Sequence, residues 1–209
     1  MSYETEEQRV EAIKKWWSEN GKSVVAGVVM GLGLLFGWQG WVEYRDSKRE
    51  EASVIFSELT QAADTGNAEK VHEMTQDLQQ NYSVTPYAGQ ASLREAQLQA
   101  EAGQLDQAET ALSWAIKNAN EEVIQDLAHL HLARIYIARG KTEQALAELK
   151  AVEAVAYLSI VEEIRGDALR AQGDINAARE AYDRAILTAG GAASDYLHMK
   201  RDDLGDPES

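Results

Sequence analysis

The sequence predicts an all-α protein in which one long apolar helix near the N-terminus precedes a stack of helical hairpins. Three observations support this fold class. Residues 23–42 carry no charged side chain, Ala, Leu, Glu and Gln dominate the rest of the chain, and glycine recurs there at a nearly constant spacing. These four residue types are good helix formers. Proline occurs twice, at Pro86 and Pro207, and no sustained period-2 alternation predicts strands.

The apolar run is SVVAGVVMGLGLLFGWQGWV, residues 23–42, and Gln39 is its one strongly polar side chain. A helix of this length spans roughly 30 Å, the thickness of the hydrocarbon core of a bilayer. Its Val, Leu and Phe residues favour insertion by roughly 3–5 kcal/mol together. We therefore predict a transmembrane helix at 23–42, a tail at 1–22 and a soluble domain at 43–209.

Two alternatives to a permanent anchor are a cleaved signal peptide and a buried helix of a soluble protein. A signal peptide has a shorter apolar region, of about 7–15 residues, followed by small residues at the cleavage site. Here the run is longer and Glu43-Tyr44-Arg45-Asp46 follows it. Cores of soluble proteins rarely need so long an uncharged segment. A retained anchor is the favoured interpretation.

The tail is predicted to form a short amphipathic helix over Glu6–Asn20 that lies in the membrane interface and stops at Asn20-Gly21. A water-facing helix is the alternative. Tryptophans flank the apolar run on both sides, as in the aromatic belt of membrane spans. The predicted interface anchors are Trp16, Trp17, Trp38 and Trp41.

Two glycine pairs with small-x-x-x-small spacing lie inside the run, and such spacing lets helix backbones approach closely in lipid. They predict packing on another membrane helix, either a second copy of the chain, giving a homodimer, or a partner. Glycine is also simply common in membrane helices. The residues are Gly27, Gly31, Gly33 and Gly37.

The distribution of basic residues predicts the orientation of the span. Four Lys or Arg residues precede the run and three follow it closely, a weak bias towards a cytoplasmic N-terminus. The C-terminal domain would then lie on the other side of the membrane, with the chain crossing it once. The absence of cysteine fits an oxidising compartment but equally the cytosol.

Beyond the span, four glycines divide the chain into units of 37, 37 and 33 residues: Gly66, Gly103, Gly140 and Gly173. After the last three, Ala stands five positions on and a larger residue nine positions on, at Leu112, Leu149 and Tyr182. Seven positions before these glycines stand Ala96, Ala133 and Gly166. The pattern resembles the tetratricopeptide repeat. It implies a tetratricopeptide-like α-solenoid of about four hairpins, closed by a capping helix over 192–204.

Catalytic chemistry is not expected. The four histidines form no metal-ligand motif, no cysteine exists, and the phosphate-loop and nucleophile-elbow patterns are missing. We predict no enzyme activity, no metal and no cofactor. Residues 43–209 carry 30 Asp and Glu against 16 Lys and Arg, which argues against nucleic-acid binding.

Stacked helical hairpins bind other proteins on the concave face that they create. Three residues on predicted first helices are candidates for lining that groove: Tyr136, Tyr157 and Arg165. For the tyrosines, packing between helices is an equal alternative.

The block from Lys14-Lys15-Trp16-Trp17 to Gly40-Trp41, followed by degenerate repeats, resembles the YfgM family of ancillary subunits of the bacterial SecYEG translocon. The resemblance covers essentially the whole chain. It implies a single-pass protein of the bacterial inner membrane with its repeat domain in the periplasm. It also implies association with SecYEG and with a membrane-anchored periplasmic chaperone of the parvulin-like class (PpiD). It also implies a role in handing exported client proteins to periplasmic chaperones, with no catalytic residues.

Two other hypotheses compete with this scaffold. The chain could be a membrane-tethered holdase that binds unfolded clients directly, or a regulatory adaptor that faces the cytoplasm.

Overall fold

A computed structural model describes residues 6–190 and 195–205, with the side chains of Glu6 and Glu7 excepted. Within these ranges the chain is helical, with nine α-helices, one 3₁₀ turn and no strand. The helices are α1 (Glu6–Asp64), α2 (Ala68–Asn81), α3 (Pro86–Glu101), α4 (Leu105–Asn118), α5 (Glu122–Ala138), α6 (Thr142–Leu149), α7 (Leu158–Gln172), α8 (Ile175–Ala189) and α9 (Asp195–Asp202), and the 3₁₀ turn is Val155–Tyr157. The predicted all-α fold class is confirmed.

The chain divides into two compact units, Met1–Lys48 and Arg49–Ser209. All three clusters of buried apolar side chains among the described residues lie between Ala52 and Leu204. The second unit thus has a hydrophobic core of its own. We expect a fragment of residues 43–209 to fold without the apolar run.

In the first unit, α1 passes through Asn20-Gly21, so the predicted helix stop there is wrong. The side-chain amide of Asn20 donates to the Trp16 carbonyl at 3.1 Å, a bond within the helix. The φ angle of Gly21 is not positive. A helical glycine costs about 1 kcal/mol relative to alanine, too little to end a helix that continues into an apolar run.

In the second unit, the helices form four hairpins, in agreement with the predicted number: the end of α1 with α2, α3 with α4, α5 with α6, and α7 with α8. The four predicted turn glycines have φ between 70° and 85°. In each turn the glycine N–H and the next N–H bond back to the preceding helix, as in Gly140 N to Ile137 O at 2.9 Å and Lys141 N to Tyr136 O at 2.8 Å. This is the Schellman motif, which requires a left-handed residue.

We expect Gly140→Ala to destabilise the 43–209 fragment by about 1–2 kcal/mol, because a β-carbon is strained in the left-handed conformation. Denaturant unfolding followed by circular dichroism measures the loss. Gly140→Asn is the matched control, since asparagine tolerates this conformation better. Equal stability of the alanine variant and the parent would contradict the proposed role of the turn.

The hairpins differ in detail. The second helix of the third hairpin, α6, ends at Leu149, so Val152 lies after the helix, although the repeat pattern aligns it with helical Ala115 and Ala185. Its side chain still packs against the largest core cluster. Lys150 N bonds to Ala147 O at 3.2 Å, a tightened last turn that closes the helix.

The C-terminal helix α9 covers the last hairpin, as predicted, over Asp195–Asp202; residues 192–194 of the predicted capping helix lie outside the described part. Leu197 is buried against Tyr182 and Ala185 of α8. Lys200 Nζ donates to Glu163 Oε1 at 2.8 Å and to Asp167 Oδ2 at 2.7 Å. These bonds hold α9 to α7.

Candidate functional site

Between the first helices of the second and third hairpins, α3 and α5, lies an open groove of about 300 Å³. Small side chains on α3, Ala96 and Ala100, leave this space, and Leu105 and Leu112 of α4 close its floor. Polar and charged side chains also line it: Gln97, Glu101, His131 and Arg134. An apolar floor with polar walls fits an apolar side chain of a bound polypeptide.

The structure does not bring the three candidate groove residues together in this α3–α5 groove. Tyr136 is buried, and its hydroxyl donates to Glu109 Oε1 at 3.1 Å. Burial and this bond raise the pKa of the Tyr136 phenol. Tyr136 thus occupies a packing position between helices, the alternative interpretation of its place in the sequence.

The other two candidates lie in or beside the fourth hairpin. Tyr157 is partly buried and packs against the largest core cluster. Arg165 forms an ion pair with Glu162, which also accepts from Arg184 Nε at 2.8 Å. A part in partner binding remains a prediction for both.

A carboxylate is buried on another face of α3. The Glu95 side chain is 7% exposed, and its Oε1 lies 2.6 Å from His72 Nδ1 on α2. Burial raises the pKa of Glu95 above its ordinary value of 4.5, and the His72 contact offsets part of that rise. No sequence pattern indicates this burial, because it depends on how α2 and α4 pack against α3.

The raised pKa of Glu95 makes stability depend on pH. The folded state binds the Glu95 proton more tightly than the unfolded state does. The contribution of this proton to stability is therefore fully present below the pKa of Glu95 in the unfolded state, and it is lost as pH rises through the pKa of Glu95 in the folded state. We expect the melting temperature of Glu95→Gln to rise relative to that of the parent as the pH is raised from 4.5 to neutrality. The other titratable side chains lining the same cavity are Glu69 and His72, and Glu69→Gln is the control. A difference in melting temperature between variant and parent that stays constant across this pH range would contradict the effect.

The described part of the first unit presents the predicted membrane residues on its surface. The four tryptophans are 51–66% exposed. Trp38 and Trp41 have ring centroids 5.5 Å apart, and the Arg45 guanidinium lies 5.0 Å from the centroid of Trp41. α1 is long and apolar enough to cross a membrane. Anchoring of the tryptophans at the interface remains a prediction.

The glycine pairs of α1 face open space: a β-carbon built on Gly27, Gly31, Gly33 or Gly37 meets nothing within 4 Å. Helix geometry places the Gly27–Gly31 pair and the Gly33–Gly37 pair about 120° apart around the axis. One helix packed closely on one pair therefore leaves the other pair available. Helix packing through these residues remains a prediction.

Across the described residues, no group of three or more His, Cys, Asp or Glu side chains is arranged to hold a metal ion. Some ion pairs of the described residues join neighbouring helices, as in His129 Nδ1 with Glu148 Oε2 at 2.7 Å between α5 and α6. Others lie within one helix, as between Arg165 and Glu162 of α7.

Comparison with known proteins places these features in a family. Residues 14–206 match the family model described as tetratricopeptide repeat-like domain. A protein of Escherichia coli K12 named ancillary SecYEG translocon subunit is 28% identical over 97% of this chain and 98% of the relative. Proteins of the same name are 29% identical in Aggregatibacter actinomycetemcomitans, over 95% of this chain and 97% of the relative, and 28% identical in Haemophilus influenzae, over 98% and 100%.

No solved structure matches the chain significantly. The relatives confirm the resemblance carried by the block at residues 14–41 and by the repeats. The family model extends from the basic-aromatic residues before the apolar run to the last helix. The chain therefore belongs to the tetratricopeptide repeat-like domain family.

Proposed function

We propose that this chain is a non-enzymatic, membrane-anchored ancillary subunit of the SecYEG translocon that helps to pass exported proteins to periplasmic chaperones. The observation that carries the proposal is the match to the Escherichia coli relative of that name, which spans 97% of this chain. The match includes both the apolar run and the hairpins. The relatives therefore share the part that would meet the membrane and the part that would bind proteins.

In the proposed arrangement, residues 1–22 face the cytoplasm, residues 23–42 cross the bacterial inner membrane, and residues 43–209 lie in the periplasm. The glycine pairs of the span would contact a translocon helix or a second copy of the chain. The α3–α5 groove would receive a segment of a PpiD-like chaperone or of an exported client. A groove with an apolar floor, built on rigid helices, supports this assignment.

Photocrosslinking from defined positions tests the proposed partners. A photoreactive amino acid at Gly33 or Gly37 is expected to trap a translocon subunit, and one at Arg134, beside the α3–α5 groove, a chaperone or an exported chain. The same residue at Leu187, which is 79% exposed on α8, is the control for random contact. Crosslinks to lipid and to the chain itself alone would refute the translocon assignment.

A direct holdase activity is the second candidate function, and the apolar floor of the α3–α5 groove favours it. The 43–209 fragment would then suppress aggregation of an unfolded protein, and Ala100→Glu, which places a carboxylate in the groove, would remove that effect. Absence of both suppression and client binding in the parent fragment would leave only the scaffold role.

A cytoplasm-facing adaptor is distinguished by topology. The chain has no cysteine, so single cysteines at Ser2 and Ser47 give an unambiguous signal with an impermeant thiol reagent. In intact spheroplasts we expect labelling at position 47 and none at position 2. The opposite pattern would reverse the proposed orientation.

A further inference from the structure

A second cavity, of about 430 Å³, lies between α2 and α4 with α3 as its floor. Its α3 residues, Glu95 and Gln99, are one helical turn apart. They point nearly opposite to the α3 residues of the α3–α5 groove, Ala96, Gln97, Ala100 and Glu101. The cavity is therefore a separate site on the other side of α3.

The floor of this α2–α3–α4 cavity consists of buried hydrogen-bond acceptors. Gln99 is 5% exposed, and its Oε1 has no hydrogen-bond partner within the described structure. The neighbouring Glu95 carboxylate is 7% exposed. A buried acceptor without a partner costs about 1–3 kcal/mol, so a ligand that donates a hydrogen bond to Gln99 would recover that cost.

No Lys or Arg of the cavity wall faces Glu95. The one ionisable side chain in contact with its carboxylate is His72, whose Nδ1 lies 2.6 Å from Glu95 Oε1 and whose Nε2 lies 2.9 Å from Gln76 Nε2. The lining holds two carboxylates and five glutamines and contains neither Lys nor Arg. A cationic donor is the complementary ligand.

Trp114 of α4 forms part of the same wall. An aromatic ring beside a carboxylate and an amide oxygen suits a guanidinium, which is planar, stacks on aromatic faces and carries five donors. An ammonium is a more strongly hydrated point charge without a stacking face. Glutamine side chains on α2 and α4 can both donate to and accept from peptide groups on either side of the bound residue.

We propose that the α2–α3–α4 cavity binds an arginine side chain of an extended segment of a partner polypeptide. The guanidinium donates to Glu95 and to Gln99 Oε1 and stacks on Trp114, while glutamines of the walls bind the adjoining backbone. The negative charge of the chain, −15 overall, attracts a basic segment. This site does not depend on the translocon assignment, because its chemistry lies wholly within residues 68–114.

Trp114 is the only tryptophan in residues 43–209, so the fragment reports on the cavity directly. The probes are three capped five-residue peptides with arginine, lysine or neutral citrulline at the centre of a Gly-Ser context. We expect the arginine peptide to change Trp114 fluorescence and to bind at least about tenfold more tightly than the other two, since tenfold corresponds to about 1.4 kcal/mol of lost interaction. Free arginine should bind more weakly than the arginine peptide, because it lacks the flanking backbone.

Two variants test the acceptors. Glu95→Gln and Gln99→Leu are each expected to reduce affinity for the arginine peptide by about tenfold or more. Both remove an unfavourable buried group, so both should remain folded by circular dichroism. Gln144→Leu, at an exposed position of α6 outside both sites, is the matched control and should bind like the parent.

Three results would overturn the proposal. They are equal binding of the arginine and citrulline peptides, absence of arginine-peptide binding by the folded parent fragment, and unchanged affinity in Glu95→Gln. None of them bears on the crosslinks expected from Gly33 and Gly37, so this inference and the translocon proposal fail separately.

Discussion

Replacing Leu34 and Leu35 by arginine is expected to release the full chain from the membrane. Both residues lie near the middle of the apolar run, and both are more than 60% exposed, at 71% and 66%. An arginine at the centre of a membrane helix costs about 2.5–3.5 kcal/mol. Two of them exceed the roughly 3–5 kcal/mol by which the Val, Leu and Phe residues favour insertion. Extraction with alkaline carbonate should move the chain from the pellet to the supernatant.

The matched control for this experiment is Leu187→Arg, which introduces an arginine at a 79% exposed position of α8. The control should stay in the membrane pellet together with the parent. Retention of the Leu34→Arg, Leu35→Arg variant in the pellet would show that residues 23–42 are not the anchor. Release of the parent itself would lead to the same conclusion.

Replacing Gly166 by alanine is expected to destabilise the folded domain by about 1–3 kcal/mol, the usual cost of overpacking a core. A β-carbon built on Gly166 lies 2.6 Å from Tyr182 Cδ1 and 2.9 Å from Cζ, and closer still to Cε1. Tyr182 is fully buried, and its hydroxyl donates to Asp167 Oδ1 at 2.7 Å. The ring therefore has little freedom to move. Denaturant unfolding of the 43–209 fragment measures the loss.

The second and third hairpins supply the control for Gly166→Ala. They carry alanine and leucine at the positions of Gly166 and Tyr182. The double variant Gly166→Ala, Tyr182→Leu should therefore lose less stability than the sum of its single variants. We expect a coupling of about 0.5–3 kcal/mol, as for other residues in contact. Strictly additive losses would show that the clash between positions 166 and 182 does not determine stability.

Backbone features that depend on local sequence could be predicted. The four turns follow from glycine spacing, because a Schellman motif needs a left-handed residue wherever a hairpin reverses. Gly66 fits the repeat pattern poorly in its flanking residues, yet its φ of 72° places it with the other three. The predicted stop at Asn20-Gly21 failed because a glycine alone, without positive φ, does not end a helix.

Features that depend on contacts between helices could not be predicted. The repeat pattern correctly predicts Tyr136 on a first helix, but its burial against Glu109 follows from the approach of α4. The α2–α3–α4 cavity combines residues from three helices, and glutamine is a residue type that is mostly exposed in proteins, so its burial at Gln99 has no sequence signal. The presence of glutamine on three successive helices, at Gln76, Gln99 and Gln107, is the one signal of the cavity that the sequence offered.

Side-chain bulk is divided differently within each hairpin, although the turns are alike. Two positions show this, the seventh residue before each turn glycine and the ninth residue after it. They hold Ala and Leu in the second and third hairpins, Gly and Tyr in the fourth, and Leu59 and Thr75 in the first. All of these side chains except that of Gly166 are at most 2% exposed. The two residues of each pair belong to the same hairpin. A hairpin moved to another position in the chain therefore keeps both of the side chains whose sizes complement each other. The array is thereby open to rearrangement by exchange of whole cassettes, whereas a crossover between the two helices of a hairpin would separate a bulky residue from the space that accommodates it.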